Sequence, residues 1–401
     1  MFSDLVQRRQ SARMAPWQRF TIGLLLCLML APTAHSAWQD PLATPAMATE
    51  LAHQELLLDV TRADQRLIAV GAHGHIIYSD DHGQSWQQAR VPVKVTLTSV
   101  HFPSGKYGWA VGHDGVILHS NDGGASWIKQ FEGFRANDAI VAAAKQLKAT
   151  REAQLASAEE QGDDVAIEEA EIQLENATFA LDDALYDQET GSTKPFLDVW
   201  FYDARRGFAV GAYGMAFYTA DGGQTWQDIS ARIPNPDRMH LNAIEPVGAT
   251  ALTLIGEAGT LIRSDDLGGN WRAMLAPYEG SLFGLVQRDD EQWLFGLRGH
   301  VFHSRDDGIS WTELSTGSEQ TLLGGVSTRD NTVLVGNGGS VIVLQKVGNN
   351  IRSIIIEGRK AYAGVAQTSE GGFILVGEDG VKRLSAEGEL LNTQISMASG
   401  E

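Results

Sequence analysis

Five times in this chain a phrase of the form Ser/Thr-x-Asp-x-Gly-x-Ser/Thr/Asn-Trp returns, each time a fixed step after a run of aliphatic residues. The copies run from Ser79 to Trp86 around Asp81, Ser120 to Trp127 around Asp122, Thr219 to Trp226 around Asp221, Ser264 to Trp271 around Asp266, and Ser304 to Trp311 around Asp306. Successive tryptophans stand 41, 99, 45 and 40 residues apart. A unit of about 40 residues therefore repeats, and one gap holds an insertion of about 58. That period suits the four-stranded blade of a β-propeller.

The phrase has a mechanical explanation. Its Asp and Ser or Thr side chains bond nearby backbone N–H groups, its glycine supplies a positive φ, and its Trp packs between layers. This Asp box occurs in sialidases and many other propellers, and we read all five copies as structural. Each unit also carries an aliphatic strand ending in Gly-x-x-Gly: at Gly71, Gly112, Gly211, Gly256 and Gly296, and twice more without an Asp box at Gly336 and Gly377. Helices do not follow these glycines and no Gly-Lys-Ser/Thr occurs, so they read as hairpin turns, not phosphate loops. The expected fold is all-β: a seven-bladed β-propeller of Asp-box (BNR-like) repeats over residues 56–401, with an inserted α-helical hairpin. Residues 38–55 or Leu390–Ile395 would complete the seventh blade; the latter is the preferred reading.

Residues 1–36 read as a Sec-type signal peptide: Arg8, Arg9, Arg13 and Arg19, an apolar run from Phe20 to Leu30, then Ala34-His35-Ser36. Residues 37–55 form an N-terminal segment. The apolar run is short for a bilayer and no second one follows, so the expected location is periplasmic or secreted, with no direct membrane span after cleavage. Cys27, the chain's one cysteine, leaves with the signal, which removes disulfides and thiolate metal sites. What remains has 27 basic and 49 acidic residues, a net charge of −22. Such a surface repels phosphate backbones and anionic lipid, so nucleic acid is not an expected partner.

The insertion, bounded at 132–195, is rich in Ala, Glu, Gln and Leu from Asn137 to Gln188 and reads as helix. Gly162-Asp163-Asp164 breaks it into two arms. The second places Ile167, Ala170, Leu174, Ala177, Leu181 and Ala184 at alternating steps of three and four, a coiled-coil seam. The first offers Ile140, Ala143, Leu147 and Leu155. These seams use most of the apolar content, so an outward apolar stripe should be modest.

In a four-strand meander the fourth strand ends on the face that carries the Gly-x-x-Gly turns, and the Asp boxes lie on the other face. The insertion therefore shares a face with His73, His113, Asp114, Tyr213, Glu257, Arg298, Asn337, Glu378 and Asp379. Varied loops on a rigid scaffold are where binding sits, and these residues with the hairpin are the candidate partner-binding surface.

The run Gly108-Trp109-Ala110-Val111-Gly112-His113-Asp114-Gly115 through Trp127 resembles the repeat of the photosynthesis system II assembly and stability factor family of BNR-like propellers, and Gly207–Trp226 matches similarly. The resemblance covers about residues 56–385 apart from the insertion. It implies an exported seven-bladed propeller that helps assemble a membrane protein complex and is not an enzyme. For members in non-photosynthetic bacteria it points to exporters of the RND type. Two features depart from the photosynthetic members: an acidic surface where those carry an arginine-rich patch, and the hairpin.

The rival class is a carbohydrate-binding or sialidase-like glycoside hydrolase propeller, with a glycan as ligand. That chemistry needs clustered arginines, a Tyr nucleophile with a Glu partner, and an Asp acid. Arg232-Ile233-Pro234 resembles a sialidase motif but follows the third Asp box, whereas the motif precedes the first. Arg298 is the one arginine in a Gly-x-x-Gly turn. A metal at His73 and His113, or calcium at Asp163-Asp164 or Asp306-Asp307, lacks enough ligands at the right steps. The sequence points to no catalytic residue, no cofactor and no metal.

Overall fold

The structure, a computed structural model, describes residues 39–346, 350–391 and 395–398. The signal-peptide reading of residues 1–36 lies outside them. Seven antiparallel sheets follow one another along the chain. Their first strands are Leu57–Ala63, Leu97–His101, Phe196–Phe201, Leu241–Val247, Leu282–Arg288, Leu322–Ser327 and Tyr362–Gln367. Each touches the next and the last touches the first, so the sheets close a ring around a central channel. We number them blades 1 to 7.

Each first strand carries a β-bulge at its second residue, from Leu58 in blade 1 to Ala363 in blade 7. The bulge turns the third residue toward the channel. These third residues are Asp59, Ser99, Asp198, Ala243, Gly284, Gly324 and Gly364. A Cβ on Gly324 would lie 2.3 Å from the Ala363 carbonyl, and one on Gly364 3.1 Å from the Asp59 Cα, so small residues let neighbouring strands close up here.

The five Asp boxes share one geometry. In blade 2, Asp122 accepts the Ser126 N–H at 2.9 Å and the Ser120 hydroxyl at 2.8 Å, while Ser120 Oγ accepts the Gly124 N–H at 2.9 Å. Asn270 replaces the usual hydroxyl without loss, since its Nδ2 donates to Asp266 at 2.7 Å. The Asn270 backbone N–H, its side-chain amide and the Ser264 hydroxyl hold Asp266 down to about 2. Trp86, Trp127 and Trp226 are buried between blades, whereas Trp271 and Trp311 are half-buried.

Ring closure differs from the preferred reading. Among the described residues blade 7 has three strands, and Leu390 contributes one isolated bridge to Leu384, while residues 392–394 of the expected closing strand lie outside them. Ser396–Met397 pairs in parallel with Ser85–Trp86 of blade 1. Ile395 and Met397 pack on the cluster that holds Trp86, and that apolar contact draws the tail away from blade 7. The segment Ala52–Gln54 lies against the last strand of blade 7, so both ends of the described chain staple the junction of blades 7 and 1.

The insertion folds into α1 (Gly133–Gln161) and α2 (Asp164–Thr190). Gly162 turns the chain at φ 67°, and Asp163 caps α2 by accepting the Val165 and Ala166 N–H groups. On α2 the expected seam faces inward, with Ala177 and Ala184 fully buried. On α1 the start of the seam is displaced by one residue, to Val141 and Ala144, while Leu147 and Leu155 stay half-buried as expected and Ala158 is buried as well. Ala136, Ala139 and Ile140 pack against the cluster between blades 2 and 3 around Phe131, Phe217 and Trp226, and Ile140 also touches the hairpin cluster of Val141, Ala144 and Ala184.

Candidate partner-binding face and central channel

Six of the seven Gly-x-x-Gly turns are type I′ hairpins whose central residues are the second x and the closing glycine, both at positive φ. The second x is His73 (φ 58°), Asp114 (55°), Tyr213 (56°), Ala258 (50°), Arg298 (56°) and Gly338 (64°). His113, Glu257 and Asn337 stand one position earlier. Blade 7 differs: Gly377 pairs with Gly380 across Glu378-Asp379, and only Gly380 has positive φ. A left-handed conformation costs a residue other than glycine about 1 kcal/mol, and five blades accept that cost to present a side chain at the rim.

The hairpin stands on the same face. Ser192 Oγ donates to the Asp114 carbonyl at 2.5 Å, and a Cβ on Gly115 would meet the Gly133 Cα at 2.7 Å, so the base of α1 sits directly on the blade 2 turn. Asn137 Nδ2 donates to the Asp187 and Gly191 carbonyls at 3.0 and 2.9 Å and ties the two arms together. Lys194 pairs with Asp187 and lies 5.1 Å over the Tyr213 ring, and Arg238 reaches Asp183 at 3.5 Å. Tyr213 is 55% exposed beside the hairpin base, with the His240 ring 4.9 Å away. His240 Nδ1 lies 2.6 Å from Glu257, and that bond holds the Glu257 carboxyl below its usual range. Lys382 pairs with Asp379 at 2.9 Å and Lys360 with Glu378 at 3.8 Å. The face thus gathers His73, His113, Asp114, Tyr213, Glu257, Arg298, Glu378 and Asp379 around one rim, spaced by a blade width instead of converging on one atom. The layout offers an extended, blade-spaced surface.

The central channel, a cavity of about 240 Å³, holds a group that the sequence reading missed. Asp59 accepts the Val60 and Val100 N–H groups at 2.7 and 2.8 Å, and so links blade 1 to blade 2. Asp198 accepts Val199 N–H at 2.8 Å, Ser99 Oγ–H at 2.6 Å and Ile244 N–H at 2.8 Å, and so links blades 2, 3 and 4. Glu245 completes the set. All three are half-buried and line the channel. Burial raises Asp59 to about 6, and burial with the Asp59 charge nearby raises Asp198 to about 7. Burial, then Asp198 and Asp59, push Glu245 well above its usual range. Desolvation holds His101, half-buried on the same wall, down to about 4. For Asp59 and Asp198 the available signal was the third position of each first strand, where a carboxylate stands in an aliphatic run and the other blades place Ser, Ala or Gly.

Among the described residues neither arginine nor tyrosine lines this channel. Arg232 lies elsewhere, on the Asp-box side, donating to the Gly269 carbonyl at 2.8 Å beside Trp200, Tyr202, Phe208 and Tyr218. The His73 and His75 rings are 6.0 Å apart, and among the described residues no three His, Cys, Asp or Glu side chains converge to hold a metal. Asp163 is used as a helix cap, Asp306 in its Asp box, and Asp307 by Arg263 at 2.6 Å.

The family model described as photosynthesis system II assembly factor YCF48 matches residues 38–132 and 182–284, either side of most of the hairpin. The photosystem II assembly lipoprotein Ycf48 of Synechococcus sp. (strain CC9902) is 32% identical over 119 residues, 29% of this chain and 35% of the relative. That of Parasynechococcus marenigrum (strain WH8102) is 32% identical over 156 residues, 38% of this chain and 44% of the relative. The chain thus spans well under half the length of the curated relatives it matches. Among solved structures, YCF48 bound to D1 peptide aligns over 87% of this chain and 98% of its own, with a TM-score of 0.58 at 16% identity. YCF48 from Cyanidioschyzon merolae aligns over 86% and 99%, with a TM-score of 0.56 at 12% identity. An ancestral GH74 enzyme reaches 0.57 at 11% identity, over 89% of this chain and 47% of its own. At these identities the structures speak for the fold alone, and the repeat phrases, the family match and the sequence relatives carry the rest: this chain is a Ycf48-like propeller of Asp-box repeats.

Proposed function

We propose that this protein is an exported, non-catalytic scaffold that binds a protein partner through the face bearing the Gly-x-x-Gly rim and the hairpin base, and that it helps assemble or stabilise a membrane or envelope complex. The observation that carries the reading is the rim itself: five side chains held in left-handed backbone on one face, beside a helical hairpin anchored to that same face. A relative solved with a D1 peptide supports a protein as the ligand class. The acidic surface favours a partner with basic contact residues, and an exporter of the RND type is the client class we place first.

The test is cross-linking capture from intact cells, comparing the tagged protein with a version in which residues 137–188 are replaced by a short glycine linker. The reading expects a membrane complex with the first and its loss or sharp reduction with the second. Capture of nothing specific by either protein contradicts it.

One observation favours a second reading, glycan binding. A cleft of about 350 Å³ between blades 3 and 4 is walled by Trp200, Tyr202, Phe208 and Tyr218, with Arg206 and Arg232 at its edge. Aromatic faces beside arginines are a sugar-binding arrangement. A glycan screen in which Tyr202→Ala abolishes binding would support this reading, and a blank screen would remove it.

A further inference from the structure

The seam of α2 leaves its opposite side uncovered, and that side is not modest as the sequence suggested. Val165, Ile172, Phe179 and Tyr186 follow one another at steps of seven residues and are 75, 54, 61 and 70% exposed. At about 100° per residue, the seam columns Ile167-Leu174-Leu181 and Ala170-Ala177-Ala184 lie at about 200° and 140° from this stripe. The stripe therefore points largely away from α1, and Phe179 at its centre borders a shallow groove that Leu155 of α1 also lines. It runs about 32 Å, three heptads. A second column follows three residues on: Glu168, Glu175, Asp182 and Glu189, all exposed. Over its whole length α2 carries nine acidic residues and no basic one.

We propose that this stripe docks an amphipathic helix of the partner protein, one with apolar residues at heptad spacing and Lys or Arg along its edge. The inference rests on the partner-binding reading and adds to it a second surface, on the hairpin's outer side. Charge decides between occupants. A second copy would set Glu168, Glu175 and Asp182 against the same acids, and an anionic lipid surface would meet the same repulsion; a basic-edged helix meets an opposite charge beside each apolar contact. A strict seven-residue step on both helices favours a shallow left-handed crossing of about 20°.

The test is a titration of the purified full-length exported chain with a labelled synthetic 25-residue helix bearing a Leu/Ile heptad stripe and Lys/Arg edges. A matched peptide with Glu edges serves as control. The proposal expects binding of the basic peptide, at least tenfold weaker binding of the acidic one, and at least tenfold weaker binding by the Ile172→Ser/Phe179→Ser variant with unchanged circular dichroism. If that variant melts early, the single variants Ile172→Ser and Phe179→Ser provide the reading. Equal binding by wild type and variant means attraction by charge alone and overturns the proposal, as does no binding. A dimer in sedimentation that the double variant abolishes assigns the stripe to a second copy, and stripe-dependent binding to phosphatidylglycerol vesicles assigns it to lipid; either outcome also overturns it. Peptide binding without capture of any complex from cells would sink the assembly reading and leave the stripe, whereas capture that survives the double variant, without peptide binding, would do the reverse.

Discussion

Replacing Glu245 by Gln should stabilise the propeller relative to wild type at pH 8, and the advantage should shrink as the pH falls to 6.5. Glu245 projects from blade 4 into the channel that also holds Asp59 and Asp198, and it lies well above the usual carboxylate range through burial and those two charges. A carboxyl with a raised folded pKa binds a proton where the unfolded chain does not. Its contribution to stability is full below the ordinary value near 4 and is lost as the pH climbs through the raised value. Between pH 6.5 and 8 Asp198, with a folded value of about 7, loses about 1 kcal/mol, and the most that any single carboxyl can lose over this interval is about 2 kcal/mol. Gln stays neutral throughout and also relieves Asp198. The advantage of the variant over wild type should therefore grow from pH 6.5 to 8, by no more than about 2 kcal/mol because channel water screens these charges. His101, held down to about 4, works in the opposite direction, since its contribution is present above 6.5 and lost on acidification. It is common to both proteins and cancels in the difference. Urea unfolding followed by tryptophan fluorescence at the two pH values measures the effect. Parallel stability profiles, or an advantage that shrinks as the pH rises, would refute the channel argument.

Other perturbations separate the parts of the scaffold. Asp122→Ala removes the acceptor for Ser126 N–H and for two hydroxyls, and should cost about 2–4 kcal/mol in urea unfolding; a loss below about 0.5 kcal/mol would mean that the box is decorative. Gly256→Ala sets a Cβ 2.2 Å from the His240 carbonyl and should cost about 1–3 kcal/mol or more, whereas Gly162→Ala meets nothing within 4 Å and pays only the left-handed strain of about 1 kcal/mol. Truncation after Ala386 removes the Ala398 N–H bond to the Trp86 carbonyl at 2.7 Å and the Leu391 N–H bond to the Arg383 carbonyl at 2.9 Å. With the packing of Met397 the loss should be about 2–4 kcal/mol, and an unchanged melting temperature would contradict the stapling of blades 7 and 1.

The repeat was legible because its residues act locally. An Asp, a hydroxyl and a glycine within eight positions specify a turn whatever surrounds them, and glycines spaced by one unit mark the hairpins. The break of the insertion at Gly162-Asp163 was legible for the same reason, a left-handed residue followed by a cap. Features set by neighbours across the ring were not. The start of the α1 seam is displaced because Ala136 and Ala139 pack on the cluster between blades 2 and 3, which periodicity within one helix does not reveal. Ser396–Met397 joins blade 1 because Ile395 and Met397 find an apolar surface beside Trp86. The channel acids stand one per strand, far apart in sequence, and only ring closure brings Asp59, Ser99 and Asp198 together. The stripe from Val165 to Tyr186 was within reach, since a step of seven residues is readable, but the stronger seam on the same helix masked it.

The most direct test of the binding face is photo-cross-linking in intact cells from single positions on its two sides: Tyr213 and Arg298 on the rim, and Gln224 in an exposed Asp-box turn on the far side. The account predicts a discrete adduct with a membrane protein from 213 and 298, and none from 224. Adducts from 224 alone, or equally from all three, would contradict it.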